Sequence, residues 1–318
     1  MLAVPSFQDI QKAHLRIKKL IHDTPVLTSS GINQLTGSVL YFKCENFQKA
    51  GAFKFRGAAN ALFSLDEKSA SRGVATHSSG NHAAALALAA GLRGVKCFVV
   101  MPHNASKVKV EAVKSYGARV TFCEPTLQSR ELTLQKMIDK NGAVFIHPYN
   151  NFEVICGQGT AAIEFLREVP DLEMMMTPVG GGGLFSGTLI SARAIHPEMK
   201  LYGAEPKNAD DAYRSFKSKR LMPSVKPDTI ADGLLTSLSE LTFKIITEKA
   251  DDIFTVSEDT IIEAMKLIWE RMKIVVEPSA AVPLGVVLEN KAFFRGRKTG
   301  LILSGGNVDV KKLPFQAG

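Results

Sequence analysis

The sequence predicts an α/β protein built on open, twisted, mostly parallel sheets with flanking helices. Three observations carry this. From residue 73 onward short apolar strands alternate with helical stretches, the pattern of parallel βαβ units. The strand ends run into glycine- and hydroxyl-rich turns, where open α/β sheets bind ligands. The longest apolar run, "AAALALAAGL" at 83–92, falls far short of the roughly 20 residues of a membrane span.

The elements follow in order. Ser6 and Asp9, with Ile10, Ala13, Ile17 and Leu20, read as a capped amphipathic helix. The same stretch lacks a signal peptide's basic start, apolar core and cleavage site. "GVATHSS" reads as a strand and "NHAAALALAAGLRG" as a helix closed by glycine. "KCFVVMP", "ARVTFCEP" and "AVFIHP" are strands, separated by the helices "SKVKVEAVKSYG" and "LQSRELTLQKMIDKNG". A second series follows: helix "GQGTAAIEFLREV", strand "EMMMTPVGGGG", helix "LFSGTLISARAI" and strand "KLYGAEP". "GLILSGGN" at 300–307 is a late buried strand running into glycines. With 318 residues the chain can form two domains. A small α/β domain is expected over 74–149, and a larger one from 1–73 together with 150–318.

Composition excludes several classes. Hydrophobic residues at 45% and charged residues at 22% are ordinary for a soluble globular protein. Cys44, Cys97, Cys123 and Cys156 are widely spaced with no C-x-x-C pair, which disfavours a disulfide framework or zinc site and fits a reducing, cytoplasmic setting. The net charge of +8 is spread out, and "KSKR" at 217–220 has no aromatic stacking array beside it, so a solvated basic face is expected and no nucleic-acid or membrane partner.

The chemistry starts at "FQKAGAFKFRGAANAL", 47–62, where Lys54 sits between Phe53 and Phe55 among small residues. A surface lysine needs no such setting, whereas one kept partly from water can lose its proton and act as nucleophile or base. "THSSGNH" (76–82) ends a strand and opens a helix; its amides, with Ser78, Ser79 and Asn81, suit a carboxylate, although helix capping also explains such residues. Gly180–Gly183 let backbone approach a ligand closely, so a phosphate cradle is the natural reading. No G-K-[ST] follows, and Ser186 stands where a dinucleotide fingerprint has its third glycine. Ser304 after a buried strand could cap a helix or meet a ring nitrogen. Glu205, Asp210 and Asp211 could hold a hard cation, but on sequence alone they read as acids at a helix N-terminus. Together a phosphate cradle, an imine-forming lysine and a ring-nitrogen partner describe pyridoxal 5′-phosphate.

With "AFKFRGA", "THSSGNH", "GQGT", "VGGGG", "AEPKNADD", "IADG", "VEPSA" and "LSGGN" in this order, nearly the whole chain resembles the fold type II pyridoxal-phosphate enzymes, in the branch of serine racemases and serine/threonine dehydratases. The resemblance implies two domains with the active site between them. Lys54 would hold the cofactor beside Phe53, Asn81 would meet its phenolic oxygen, Gly180, Gly181, Gly182 and Gly183 its phosphate, and Ser304 its ring nitrogen. Ser78, Ser79, Gly80, Asn81, His82 and Thr236 would bind substrate. Glu205, Ala209 (through its carbonyl) and Asp211 match a divalent-cation site for Mg²⁺, Ca²⁺ or Mn²⁺, against the reading from sequence alone. Lys49, Tyr116, Lys273 and Asn307 match a site for an allosteric nucleotide such as ATP, and a homodimer is expected.

The implied activity is interconversion of L- and D-serine, with Lys54 and Ser79 working opposite faces of the α-carbon and β-elimination to pyruvate and ammonia as a second outcome. The alternative is an L-serine/L-threonine dehydratase with little racemase activity. After His147-Pro148 the chain reads "YNNFEV", without the serine-rich run of aspartate-directed relatives, which argues for serine. Arg130 reads as lying on a helix face. A non-catalytic amino-acid sensor would need no Lys54, and a nicotinamide dehydrogenase is disfavoured by the incomplete glycine fingerprint.

Overall fold

The computed structural model describes residues 3–78 and 80–315. Two sheets organise them. The larger contains β1 (Val26–Leu27), β2 (Val39–Cys44), β7 (Met174–Pro178), β8 (Lys200–Pro206), β9 (Asp252–Val256) and β10 (Lys298–Leu303), in the order β1-β2-β10-β7-β8-β9. Its one antiparallel pair is β1 with β2; the other pairs run parallel. The smaller sheet, ordered β5-β4-β3-β6, is parallel throughout and contains β3 (Val74–His77), β4 (Cys97–Pro102), β5 (Arg119–Cys123) and β6 (Val144–Phe145). The mostly parallel architecture read from the sequence is therefore the one observed.

Local sequence accounts for the elements that flank the sheets. The first helix, Phe7–Ile17, starts with a reciprocal capping box between Ser6 and Asp9 and buries Ile10, Ala13 and Ile17. Burying each isoleucine stabilises the fold by about 1.5–3 kcal/mol. Gly94 and Gly142 close the helices Asn81–Arg93 and Leu127–Asn141 in the left-handed region, at φ 71° and 67°, which a residue with a Cβ rarely adopts. Helix Phe152–Glu168 begins before the stretch "GQGT" because Asn151 caps it, its side chain accepting the Val154 amide. The four cysteines are buried and unbridged. No helix among the described residues is long and apolar enough to cross a membrane.

Two helices position the site. Lys54–Phe63 packs Phe55, Ala58, Ala59, Ala61 and Leu62 into a core shared with β3, β4 and the Asn81 helix. Gly183–Ile195 packs Leu184, Phe185, Leu189 and Ile190 into the main core under the larger sheet. Helix Phe152–Glu168 lies between them and is buried along most of its length. The parallel strands β7, β8 and β10 end at Pro178, Pro206 and Leu303, so the segments that follow gather at one edge.

Candidate active site

Lys54 opens its helix half-buried, and its Nζ donates to the Pro148 carbonyl at 3.0 Å and lies 5.1 Å from the Phe53 ring centroid. Burial pulls its amine down to about 8, against the opposing charge of Glu277. The start of this helix is tied to the end of β10: the Phe53 amide donates to the Ser304 carbonyl at 3.0 Å, and Ala52 pairs with Gly305. Lys54 and the buried Ser304, far apart in sequence, thus share one wall.

The glycine loop forms a second wall. Gly180–Gly183 are buried, and among the described residues the amides of Gly180, Gly181 and Gly182 donate to no backbone carbonyl. Their outer side is packed by protein. A Cβ on Gly180 would lie 3.1 Å from the Gly233 carbonyl oxygen and 3.3 Å from the Thr236 hydroxyl, and one on Gly181 would overlap the Tyr149 ring. Gly182 adopts φ 82° at the N-terminus of helix Gly183–Ile195. Buried amides with no protein acceptor need one from a ligand, and an anion rich in oxygens at a helix N-terminus supplies it. These residues fit a phosphate, with Lys54 available for an aldehyde and Ser304 for a ring nitrogen. Thr236, read from the sequence as a substrate contact, lies beside the loop at Gly180.

The third wall is the turn after β3. Ser78 and Gly80 precede helix Asn81–Arg93, and a Cβ on Gly80 would meet open space. Ser79, read as the second proton donor, lies outside the described residues. His82 is buried, with its Nε2 3.1 Å from the Ile146 carbonyl, which makes Nε2 the donor. Its Nδ1 has no partner among the described residues, and burial followed by the charge of Lys54 holds the ring near a pKa of about 3, so it is neutral. Any contact of His82 with a carboxylate would therefore run through its backbone.

Asn81 holds a partner that sequence reasoning missed. Its Nδ2 donates to both oxygens of Glu277, at 2.8 and 3.0 Å, while its Oδ1 accepts from Asn307 at 2.9 Å. Glu277 is buried and its carboxyl is raised to about 7 by burial, with the Asn81 bond opposing the shift. The motif "VEPSA" contained the signal, yet nothing in it says that Glu277 faces Asn81 across 196 positions of chain. Arg130 lies half-buried on helix Leu127–Asn141, as read; among the described residues its buried Nε has no partner, and its charge acts on His77.

The acidic group after β8 is compact. Glu205 accepts the amides of Ala212 and Tyr213 at 3.1 and 2.7 Å, and Asp211 accepts that of Leu238 at 3.3 Å. Burial and the neighbouring Asp211 hold Glu205 well above its ordinary range; burial raises Asp211 to about 6 and leaves its Oδ1 without a partner. Asp210 instead pairs with Arg214 at 2.8 Å. Among the described residues no three His, Cys, Asp or Glu side chains are placed to hold a metal ion together, so a cation here would need the carbonyl of buried Ala209 or water as well. Tyr116 and Asn307 line one cavity of about 100 Å³ with Ala50, Asn81 and Lys109; Lys49 and Lys273 do not line it.

Comparison with known proteins agrees with this geometry. The family model of pyridoxal-phosphate dependent enzymes matches residues 17–305. The chain is 51% identical to a serine racemase of Dictyostelium discoideum, covering 98% of each chain. It is 49% identical to a β-hydroxyaspartate dehydratase of Paracoccus denitrificans, covering 98% of this chain and 99% of the relative. The structure of maize serine racemase superposes with a TM-score of 0.95 at 44% identity, over 98% of this chain and 96% of the other. With a lysine, a glycine loop of free amides and a strand-end serine on one edge, and a family match over most of its length, the chain belongs to the pyridoxal-phosphate dependent enzymes.

Proposed function

We propose that this enzyme is a serine racemase that interconverts L- and D-serine and also eliminates serine to pyruvate and ammonia. The observation that carries the reading is Lys54, half-buried, lowered to about 8 and tied to the Ser304 wall. In this reading Lys54 holds the aldehyde end of pyridoxal phosphate, Gly180–Gly183 the phosphate, Ser304 the ring nitrogen, with Phe53 beside the ring. The bound cofactor supplies an electron sink that acidifies the substrate α-hydrogen. A buried amine near neutrality can take that proton and return it on one face of the α-carbon. The turn of Ser78, Gly80 and Asn81, with the His82 amide, receives the substrate carboxylate, and Ser79 delivers a proton to the opposite face. Thr236 faces the substrate from the glycine-loop side.

Loss of the β-hydroxyl before the α-carbon is reprotonated yields pyruvate and ammonia. A barrier difference of about 1.4 kcal/mol between the two fates changes their ratio tenfold. The two sheets would be the cores of two domains, 1–73 with 150–318 and 74–149, with the site between them and the Lys54 helix crossing the boundary. Glu205, Asp211 and the Ala209 carbonyl would hold Mg²⁺, Ca²⁺ or Mn²⁺, since two carboxylates that burial holds above their ordinary range, Glu205 further raised by Asp211, gain from a cation. Tyr116 and Asn307, with Lys49 and Lys273, would contact ATP as an allosteric activator in a cytoplasmic homodimer.

A second reading, dehydration of β-hydroxyaspartate, is favoured by Arg130. A buried, unpartnered guanidinium nitrogen whose charge reaches His77 at the end of β3 is suited to a substrate's second carboxylate. An L-serine/L-threonine dehydratase is the third member of the set. Parallel incubations of the purified protein with L-serine and with β-hydroxyaspartate, each with Mg²⁺ and ATP, followed by chiral chromatography, separate them. D-serine alongside pyruvate supports the racemase. Pyruvate alone makes it a dehydratase, and turnover confined to β-hydroxyaspartate selects the second reading.

A further inference from the structure

The helix that begins at Lys54 has no side-chain cap at its start. Two residues further on, Arg56 is fully buried, and both edges of its guanidinium are occupied. Toward the end of β2 it meets Glu45, with Nε 2.7 Å from Oε2 and Nη2 2.8 Å from Oε1. Toward helix Phe152–Glu168 it meets Glu164, with Nη1 2.8 Å from Oε1 and Nη2 2.6 Å from Oε2. Thr160 adds a bond to Nη1 at 3.1 Å. Lys43 completes the cluster, its Nζ 3.0 Å from Glu164 and 2.6 Å from the Thr24 carbonyl. Lys43, Glu45 and Arg56 are 0% exposed and Glu164 2%, so two buried cations face two buried carboxylates, with the exposed Asp23 3.8 Å from Lys43 at the edge.

Such a cluster is a poor means of gaining stability, because well-packed apolar side chains of equal volume usually do as well or better. Its distinctive property is geometric. A planar fork bound bidentately on both edges allows its helix neither to slide nor to turn without breaking a pair. The same turn touches helix Phe152–Glu168 backbone to backbone: a Cβ on Gly157 would lie 2.6 Å from the Gly57 Cα. Two residues along that helix, a Cβ on Gly187 would lie 2.5 Å from the Gly159 amide nitrogen. Gly187 belongs to the helix that starts at Gly183, the last residue of the glycine loop. The helices that carry Lys54 and the loop therefore pack against one common helix, at Gly157 and Gly159.

We propose that Arg56, clamped between Glu45 and Glu164, is a positioning residue that sets the register of Lys54 against the Gly180–Gly183 loop. This rests on the reading of Lys54 and the loop as the aldehyde and phosphate partners of one cofactor. The full chain, freed of cofactor, is titrated calorimetrically with pyridoxal 5′-phosphate and with 4′-deoxypyridoxine 5′-phosphate, which keeps ring and phosphate but has no aldehyde. Wild type is compared with Arg56→Lys and with the nearly isosteric Glu164→Gln, which carries the test if the first does not fold. The expected result is a selective loss, at least about tenfold for the aldehyde ligand against less than about twofold for the other, as slight misplacement of a reacting group produces. An equal loss for both ligands, or no loss for either, overturns the clamp alone. Lys54→Ala is expected to bind the two ligands equally; a surviving preference for the aldehyde would overturn the Lys54 reading and the proposal with it.

Discussion

Two buried polar clusters lie a few residues apart, and their carboxylates are shifted in opposite directions. Around Arg56, burial alone would raise Glu45 and Glu164, but the guanidinium overrides it and holds both below their ordinary range. Around Lys54, burial prevails: Glu277 is raised to about 7 and the lysine itself falls to about 8. The first cluster has a partner for every charge; the second leaves charges incompletely matched and amides without acceptors. Full pairing gives a fixed geometry, and incomplete pairing leaves groups that can exchange protons near neutrality.

The largest expected effect breaks the second cluster at its centre. Lys54→Ala should lower turnover on the order of 10⁴-fold while the chain stays folded, as removal of a general base that also anchors a cofactor would. Borohydride reduction followed by peptide mapping checks the assignment, because no lysine–cofactor adduct should form on another residue. Arg56→Met comes next and strikes the other cluster. It leaves Glu45 buried without a cation and Glu164 with Lys43 alone, and should cost about 3–5 kcal/mol in a denaturant unfolding experiment. A loss below about 1 kcal/mol would mean that water enters the cluster and the contrast between the two is false.

This contrast also explains what the sequence could reveal. Strands β3, β4, β5, β7, β8 and β10 are legible because each is a local apolar run bounded by turn residues. Lys54, the glycine loop and Ser304 are legible because a local motif marks each. Two features depend on contacts between distant segments. The pairing of β2 with β10 joins the two ends of the chain. Arg56 and Glu164 are 108 positions apart, and neither stands out among ordinary helix-surface charges until the fold brings them together. Strand β6 is legible too, within "AVFIHP", although only two of those residues pair with β3.

The acidic pair after β8 extends the comparison to two carboxylates with no salt-bridge partner among the described residues, Arg214 acting on Asp211 only at a distance. If Glu205 and Asp211 hold a divalent ion, Mg²⁺ or Ca²⁺ at a hundredfold excess over its dissociation constant should stabilise the chain by about 2.7 kcal/mol. The gain should be absent in Asp211→Asn and should fade below pH 6, where Asp211 takes up its proton. Thermal unfolding with and without the ion reads both. Equal stabilisation of Asp211→Asn would place the ion elsewhere.

Glu277 gives a smaller effect with a definite sign. Its carboxyl is raised from 4.5 to about 7 on folding, so the folded chain binds that proton more tightly than the unfolded chain. The stability this contributes is complete below pH 4.5 and is lost as pH rises to 7. In cofactor-free protein, the thermal midpoint of Glu277→Gln minus that of wild type should therefore climb across this window and level off above it. A flat difference would show that Glu277 is paired as fully as Glu45.

The smallest effect comes from the pair that links the helix Lys107–Ser115 to the segment carrying Gly233. Lys109 and Asp232 are in contact but partly exposed, with side chains 29% and 53% accessible, so Lys109→Met should change stability by less than about 1 kcal/mol. Its consequence lies in Glu277 instead. Burial raises that carboxyl, the charge of Asp232 raises it further, and the charge of Lys109 holds it down. Removing Lys109 leaves Asp232 unopposed, so the upper end of the Glu277 window should move above 7 while the unfolding midpoint at low pH hardly changes. An unmoved window would mean that solvent screens the pair from the site. A shifted one would show that an ion pair of almost no value to stability still sets the protonation of a buried group beside Asn81.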